Sequence, residues 1–388
     1  MTGSPLTPSQ TLATAKRVVV KVGSALLCGE NGLVSHTRLK SLSEDIAALR
    51  NGVFDRRLIL VSSGAVAFGR HHLNLKQPLS LNQKQAAAAV GQSLLVQAWQ
   101  QAFSAHDLTV AQILLTLEDT EDRRRYLNAT ATLETLLPMP IVPLVNENDS
   151  IATAEIRYGD NDRLAAHTAQ MTRADLLILL SDIDGLYDAD PRTRPNAAHI
   201  PYVDQITSAH LDAAGSANRQ AGVGSGGMAT KLTAAQIATR AGISVLVADG
   251  TRKHALLALR DGTGRATLFA PTVKASTARR QWIAGRQSAS GSIEIDAGAA
   301  RAIANGSSLL AAGITGVATY EADKPFRRGD LVDILSPDQS RIGLGLCAFD
   351  YGALTRIKGC QTAQIVDILG ETHSGVVVHR NDLVLTGS

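Results

Sequence analysis

Residues 17–27 read RVVVKVGSALL, and the fold turns on how that stretch is parsed. Four valines around one lysine make a compact β-branched run, the pattern of a strand buried on both faces of a sheet. Gly23 and Ser24 end the run at once. An ammonium buried at Lys21 is costly unless an anion meets it. The glycine lets backbone N–H groups approach a phosphate, and the serine adds a donor. Outward from this stretch, RLILVSS (57–63), LTVAQILL (108–115), PIVPLV (140–145), ADLLILLS (174–181) and ISVLVA (243–248) repeat the strand pattern. Helical patterns lie between them at about 37–51, 82–105, 122–137, 161–172 and 228–241. Such alternation predicts an α/β fold, a three-layer sandwich whose mainly parallel sheet carries helices on both faces. Ligands of such sheets bind at the carboxyl ends of the strands.

The 388 residues allow two or three domains. A formal net charge of +3, with both signs spread along the chain, argues against a nucleic-acid arm or an acidic disordered tail. The three cysteines, Cys28, Cys347 and Cys360, form no C-x-x-C pair. That excludes a disulfide framework or a cysteine zinc site and suits a reducing cytosol. No apolar run approaches the ~18 residues of a membrane helix. Residues 1–15 lack the apolar stretch of a signal peptide and read as a flexible tail. Residues 269–287 are polar and read as a linker. From 288 to 381, short alternating runs punctuated by glycine predict a small β-rich domain with one or two helices.

Polar residues gather where the strands end. VSSGAVAFG (61–69) turns Ser62, Ser63 and Gly64 straight into a helix, offering hydroxyls and amides to an anion, with a plain N-cap the competing reading. PLVNENDS (143–150) and YGDND (158–162) concentrate Asn146, Glu147, Asn148, Asp149, Asp160, Asn161 and Asp162. Such a set can hold both an ammonium and the carboxylates of an amino-acid-like ligand. In LLSDIDGLYDADPR (179–192), Asp182, Asp184, Asp188 and Asp190 miss the spacing of a calcium loop. A nucleotide-contacting or surface loop fits them better, and no metal site is expected. GVGSGG (222–227) feeds a helix whose first turn carries Lys231; Thr230 and Leu232 exclude a Walker A loop. Only ten of the 38 basic residues are lysines, and none lies between Lys84 and Lys231. Where arginine serves most purposes, two lysines at glycine turns mark sites that need a compact ammonium. Two such lysines, helix N-termini and a polar cluster together describe phosphoryl transfer, which needs alignment and positive charge more than covalent help.

In their order and spacing, KVGS (21–24), VSSGAVAFG, VNEND (145–149), YGDND, LLSDIDGLYDADPR and SGGMATK (225–231) resemble the amino acid kinase family over residues 16–268; residues 288–381 resemble a PUA domain. The resemblance implies transfer of the γ-phosphoryl of ATP, carrying Mg²⁺, to the side-chain carboxylate of L-glutamate, a first step toward proline. It implies catalytic roles for Lys21 and Lys231, with Asp162 holding both in place. Glutamate would meet Ser63, Asp149 and Asn161, with Asn146 and Asp160 nearby. ATP would meet Lys21, Gly23, Ser24, Ser181, Asp182 and the run Ser225, Gly226, Gly227, Met228, Ala229, Thr230 and Lys231. It further implies a cytoplasmic homo-oligomer, dimer or tetramer, feedback inhibition by proline, and hand-off of the acyl phosphate to a glutamyl-phosphate reductase. Arg163, Tyr158 and Ser225 depart from the small amide, Phe and Thr usual at their positions. Two alternatives stay open. The acceptor could instead be aspartate, N-acetylglutamate or a nucleoside monophosphate. Arg327, Arg328, Arg341, Arg356 and Lys358 could form an RNA-binding face on the C-terminal domain, although the near-neutral charge argues against it.

Overall fold

The computed structural model describes residues 6–29, 33–51, 56–151, 160–218, 227–273, 277, 288–370 and 375–385. The chain divides into two compact units, Met1–Val273 and Lys274–Ser388. The first is built on β1 (Arg17–Val22), β2 (Arg57–Ser62), β3 (Thr109–Leu115), β4 (Ile141–Glu147), β5 (Leu176–Ser181), β6 (Leu186–Tyr187), β7 (His199–Ile200), β8 (Tyr202–Val203), β9 (Ser244–Asp249) and β10 (Ala266–Phe269). Eight of these form one sheet in the order β3-β4-β2-β1-β5-β9-β10-β8, while β6 and β7 pair separately as a hairpin. Every neighbouring pair in the large sheet is parallel except β9 with β10. The expected mainly parallel sheet is therefore present, with β1 at its centre.

Side-chain alternation on β1 sets the geometry of everything that follows. Val18, Val20 and Val22 face a core that also holds Leu39, Ile46, Leu95 and Trp99, from helices His36–Arg50 and Leu81–Ser104. Val19 faces the opposite core, which holds Leu164, Ala165, Leu232 and Ala235, from helices Asp160–Met171 and Met228–Arg240. With a period of two, Lys21 shares the face of Val19. The four valines are fully buried. At about 1.5–3 kcal/mol each, their burial outweighs the several kcal/mol needed to desolvate one well-paired ammonium in the same strand.

Two expectations about the ends of the first unit need correction. The supposed N-terminal tail contains a helix, Pro8–Thr14, opened by a capping box between Thr7 and Gln10 and anchored by the fully buried Leu12. The supposed linker begins too early: Phe269 is buried in β10, the Ala270 amide donates to the Val203 carbonyl, and the Thr272 amide donates to the Thr239 carbonyl. Most of the remaining stretch to 287 lies outside the described residues.

The second unit has a five-stranded sheet in the order Ile314–Thr319, Gly291–Ile295, Leu331–Leu335, Arg341–Leu346, Leu383–Leu385, antiparallel but for the pair Gly291–Ile295 and Leu331–Leu335. Its core gathers Ile293, Ile295, Phe326, Val332 and Ile334. Three α-helices are described there, Ala297–Ala304, Tyr351–Ile357 and Thr362–Leu369, rather than one or two.

Candidate active site

Three charged side chains meet on the Val19 face at the carboxyl edge of the sheet. Lys21 Nζ lies 2.6 Å from Asp162 Oδ1, and Lys231 Nζ lies 3.5 Å from Asp162 Oδ2. Each comes from a different element: β1, the first turn of Asp160–Met171, and the first turn of Met228–Arg240. Asp162 is wholly buried and each lysine is 5% exposed. Two ammoniums against one carboxylate leave the trio with a net charge of +1. Burial drives the Asp162 carboxyl up, but Lys21 and Lys231, together with hydrogen bonds from Lys21 and Thr230, overcome it and hold Asp162 below its ordinary value. Burial pushes the Lys231 ammonium below its ordinary 10.5, with Lys21 adding to the effect while Asp162 and Asp182 oppose it.

Around the trio the backbone is left open for anions. Gly23 follows β1, and a Cβ there would stand 3.6 Å from Lys21 Nζ. Gly64, at φ +116°, and Gly227 are the N-caps of helices Ala65–His72 and Met228–Arg240, and among the described residues no side chain caps the first-turn amides of either helix. Such amides suit phosphate or carboxylate. Ser24 opens the short helix Ser24–Leu27 after β1. Ser181, at the end of β5, donates its hydroxyl to Asp182, whose other oxygen lies 2.6 Å from Arg192. Burial opposes ionisation of Asp182, but Arg192 prevails and lowers its pKa. The other aspartates of this loop take separate partners: Asp184 accepts from the Tyr187 hydroxyl, Asp188 from the Ala198 amide and Asp190 from the Arg192 amide. Among the described residues no group of three or more His, Cys, Asp and Glu side chains is arranged to hold a metal ion.

On the other side, the two adjacent serines separate into different roles. Ser62 is buried and accepts a hydrogen bond from Trp99 Nε1 at 3.0 Å, whereas Ser63 is half-buried and its amide donates to the Val22 carbonyl. Asn146 and Asp149 are both buried at the end of β4. Asn161 sits beside Asp162, half-buried, with its Oδ1 buried and without a hydrogen-bond partner among the described residues. Asp160 begins the helix. Its side chain, together with Tyr158, Ser225 and Gly226, lies outside the described residues. Gly227, Met228 and Ala229 lead into the first turn that carries Thr230 and Lys231.

Sequence reading assigned Thr230 only as part of a run and passed over Gln92 altogether. Thr230 Oγ1 is 2.9 Å from Asp162 Oδ2 and 2.8 Å from the Gly227 carbonyl, so it ties the aspartate to the glycine turn. Gln92, buried on Leu81–Ser104, reaches Asn146 and Glu147. The Thr230–Asp162 contact and the two Gln92 contacts join residues more than fifty positions apart, which no local pattern displays.

A parallel α/β sheet whose carboxyl edge presents two buried lysines on one aspartate matches the sequence pattern of the amino acid kinase family over residues 16–249, and the chain belongs to that family. It is a kinase. Residues 291–369 match the PUA domain. More particularly, the chain is 49% identical over 377 residues to a glutamate 5-kinase of Paramagnetospirillum magneticum, covering 97% of this chain and 99% of that protein. It is 47% identical over 381 residues to a glutamate 5-kinase of Bradyrhizobium diazoefficiens, covering 98% and 100%.

Proposed function

We propose that the chain transfers the γ-phosphoryl group of Mg·ATP to the side-chain carboxylate of L-glutamate, giving glutamyl 5-phosphate and ADP, the first step of proline biosynthesis. The observation that carries this reading is the buried Lys21–Asp162–Lys231 trio, supported by relatives that match this chain over nearly their whole length. In the transfer, a carboxylate oxygen forms a bond to phosphorus as the bond to ADP breaks. The nucleophile is already ionised, so no general base is required. The obstacle is repulsion: like unit charges about 4 Å apart cost about 4 kcal/mol at an effective dielectric near 20. Lys21 and Lys231 offset that repulsion and follow the charge as it moves from the acceptor toward ADP. Asp162 is a positioning residue, keeping the two ammoniums at one spacing whether or not substrate is bound.

In this reading Ser63, Asp149 and Asn161 bind glutamate, with Asn146 and Asp160 nearby. Gly23, Ser24, Ser181, Asp182 and the stretch from Ser225 to Lys231 bind ATP, whose Mg²⁺ arrives with it as part of the substrate. The proposed kinase domain runs from the helix Pro8–Thr14 to Val273, and the proposed PUA domain covers 288–381. We extend the proposal to a cytoplasmic homo-oligomer inhibited by proline in competition with glutamate. Because the acyl phosphate hydrolyses readily, it is handed to a glutamyl-phosphate reductase. No described helix is long and apolar enough to cross a membrane.

Hydroxylamine tests the acceptor directly, since it captures an acyl phosphate as the hydroxamate and releases phosphate. ATP with glutamate should yield hydroxamate, and ATP with aspartate or N-acetylglutamate should not; a nucleoside monophosphate, whose product would be a phosphoanhydride that gives no hydroxamate, should release no ADP. Hydroxamate from aspartate and none from glutamate would overturn the assignment.

A further inference from the structure

We infer that Gln92 is a positioning residue for the acceptor, setting the affinity for glutamate without touching it; the inference rests on the function proposed above. Gln92 lies on the helix Leu81–Ser104, on the sheet face opposite the Lys21–Asp162–Lys231 trio, and is buried. Its Nε2 donates to the Glu147 main-chain carbonyl at 3.1 Å. A carbonyl only accepts, so this bond fixes which end of the Gln92 amide is nitrogen. Gln92 Oε1 is thereby turned to Asn146, whose Nδ2 donates to it at 3.2 Å. Asn146 Oδ1 in turn accepts from the Glu147 amide at 2.9 Å. Main chain and these two side-chain amides thus form a circuit in which each orientation dictates the next, with Gln112 Nε2 donating to the same Gln92 Oε1 at 3.4 Å. Of the Asn146 amide, one N–H and one oxygen lone pair remain beyond this circuit, and their direction is decided by Gln92.

The neighbouring residue extends the same control to the other wall of the acceptor site. Gly91 is packed so closely on Ala65 that a Cβ there would lie 1.7 Å from the Ala65 carbonyl oxygen. Ala65 is the first residue of the helix whose N-cap is Gly64, directly after Ser63. One turn of one helix therefore holds both the Ser63–Gly64 turn and the Asn146–Glu147 strand end. Asn146 shares its face of β4 with Val142 and Leu144, which pack in the core that Leu95 and Trp99 of this helix also join. The strand's alternation leaves Asn146 aimed at Gln92.

Steady-state kinetics of Gln92→Leu and Gln92→Glu in the full chain test this, with hydroxamate formation as the assay. Gln92→Leu removes the donor and the acceptor. Gln92→Glu keeps an acceptor for Asn146 but sets an oxygen against the Glu147 carbonyl. We expect the glutamate KM to rise about tenfold or more in Gln92→Leu and less in Gln92→Glu. The ATP KM should stay within about twofold in both. A glutamate KM within about twofold of wild type in a folded Gln92→Leu overturns the inference. So does an equal loss toward both substrates, which marks a purely structural residue. If Gln92→Leu does not fold, Gln92→Glu decides: a rise confined to the glutamate KM supports the inference, and no rise overturns it. Absence of hydroxamate from the wild-type protein is a separate result, which would remove the proposed function itself.

Discussion

At the scale of single residues, the proposed chemistry rests on one carboxylate shared by two ammoniums. Replacing Asp162 with Asn leaves Lys21 and Lys231 buried close together without their common counter-charge. Breaking a buried pair in this way costs about 3–5 kcal/mol. Asp162→Asn should therefore lower stability to urea by about that amount and lower kcat more than tenfold; unchanged values of both would show the contact to be incidental. The lowered pKa of Lys231 has a consequence for pH. A depressed lysine pKa means the proton leaves earlier as pH rises, so the charged form is lost below the ordinary 10.5. The profile of kcat/KM for ATP, which reports the free enzyme, should fall on an alkaline limb starting below 10.5. For Asp162 the sign runs the other way: its folded-state pKa is depressed, so the stability it contributes is present above the unfolded value and lost as pH falls through the folded one. Equilibrium unfolding against pH should show stability declining on that acidic side.

At the scale of elements, the strand–turn pattern was legible because buried parallel strands have a composition of their own. β1, β2, β4, β5 and β9 lie within a residue or two of their expected limits. Short pieces were not legible. β8 is two residues, Tyr202 and Val203, and owes its existence to pairing with β10, a tertiary event. The helix Pro8–Thr14 is a different kind of miss, because Thr7, Pro8 and Gln10 spell a capping box in the sequence itself. Charged site residues stood out because a lysine in a valine strand violates local expectation, whereas Gln92 violates nothing and Thr230 reads as an ordinary helix residue. The adjacent serines show what only structure decides. Ser62 points into the core toward Trp99, and Ser63 is held at the turn. Ser62→Ala should cost about 1 kcal/mol in unfolding experiments and spare the glutamate KM. Ser63→Ala should raise the glutamate KM and leave stability within about 0.5 kcal/mol. Reversed effects would contradict the division.

At the scale of the whole molecule, every residue assigned to the kinase site precedes Lys274, where the second unit begins. A chain ending at residue 273 should keep measurable kinase activity; a folded but inactive truncation would mean that the PUA-containing unit completes the site. The basic residues of that second unit are partly committed elsewhere. Arg341 pairs with Asp333 at 2.8 Å, and Arg356 donates to the Ile368 carbonyl. The Asp333 carboxylate offsets one of the cations that the sequence alone offered to RNA. The claim on which the account stands or falls is that Lys21 and Lys231 act as compact charges on the moving phosphoryl group, where a planar guanidinium cannot substitute. It is tested most directly by the rate of glutamate-dependent hydroxamate formation in Lys21→Arg and Lys231→Arg beside the wild type. The expected result is a fall in kcat well beyond tenfold in each variant, with both still folded. Near-normal turnover in both would contradict it.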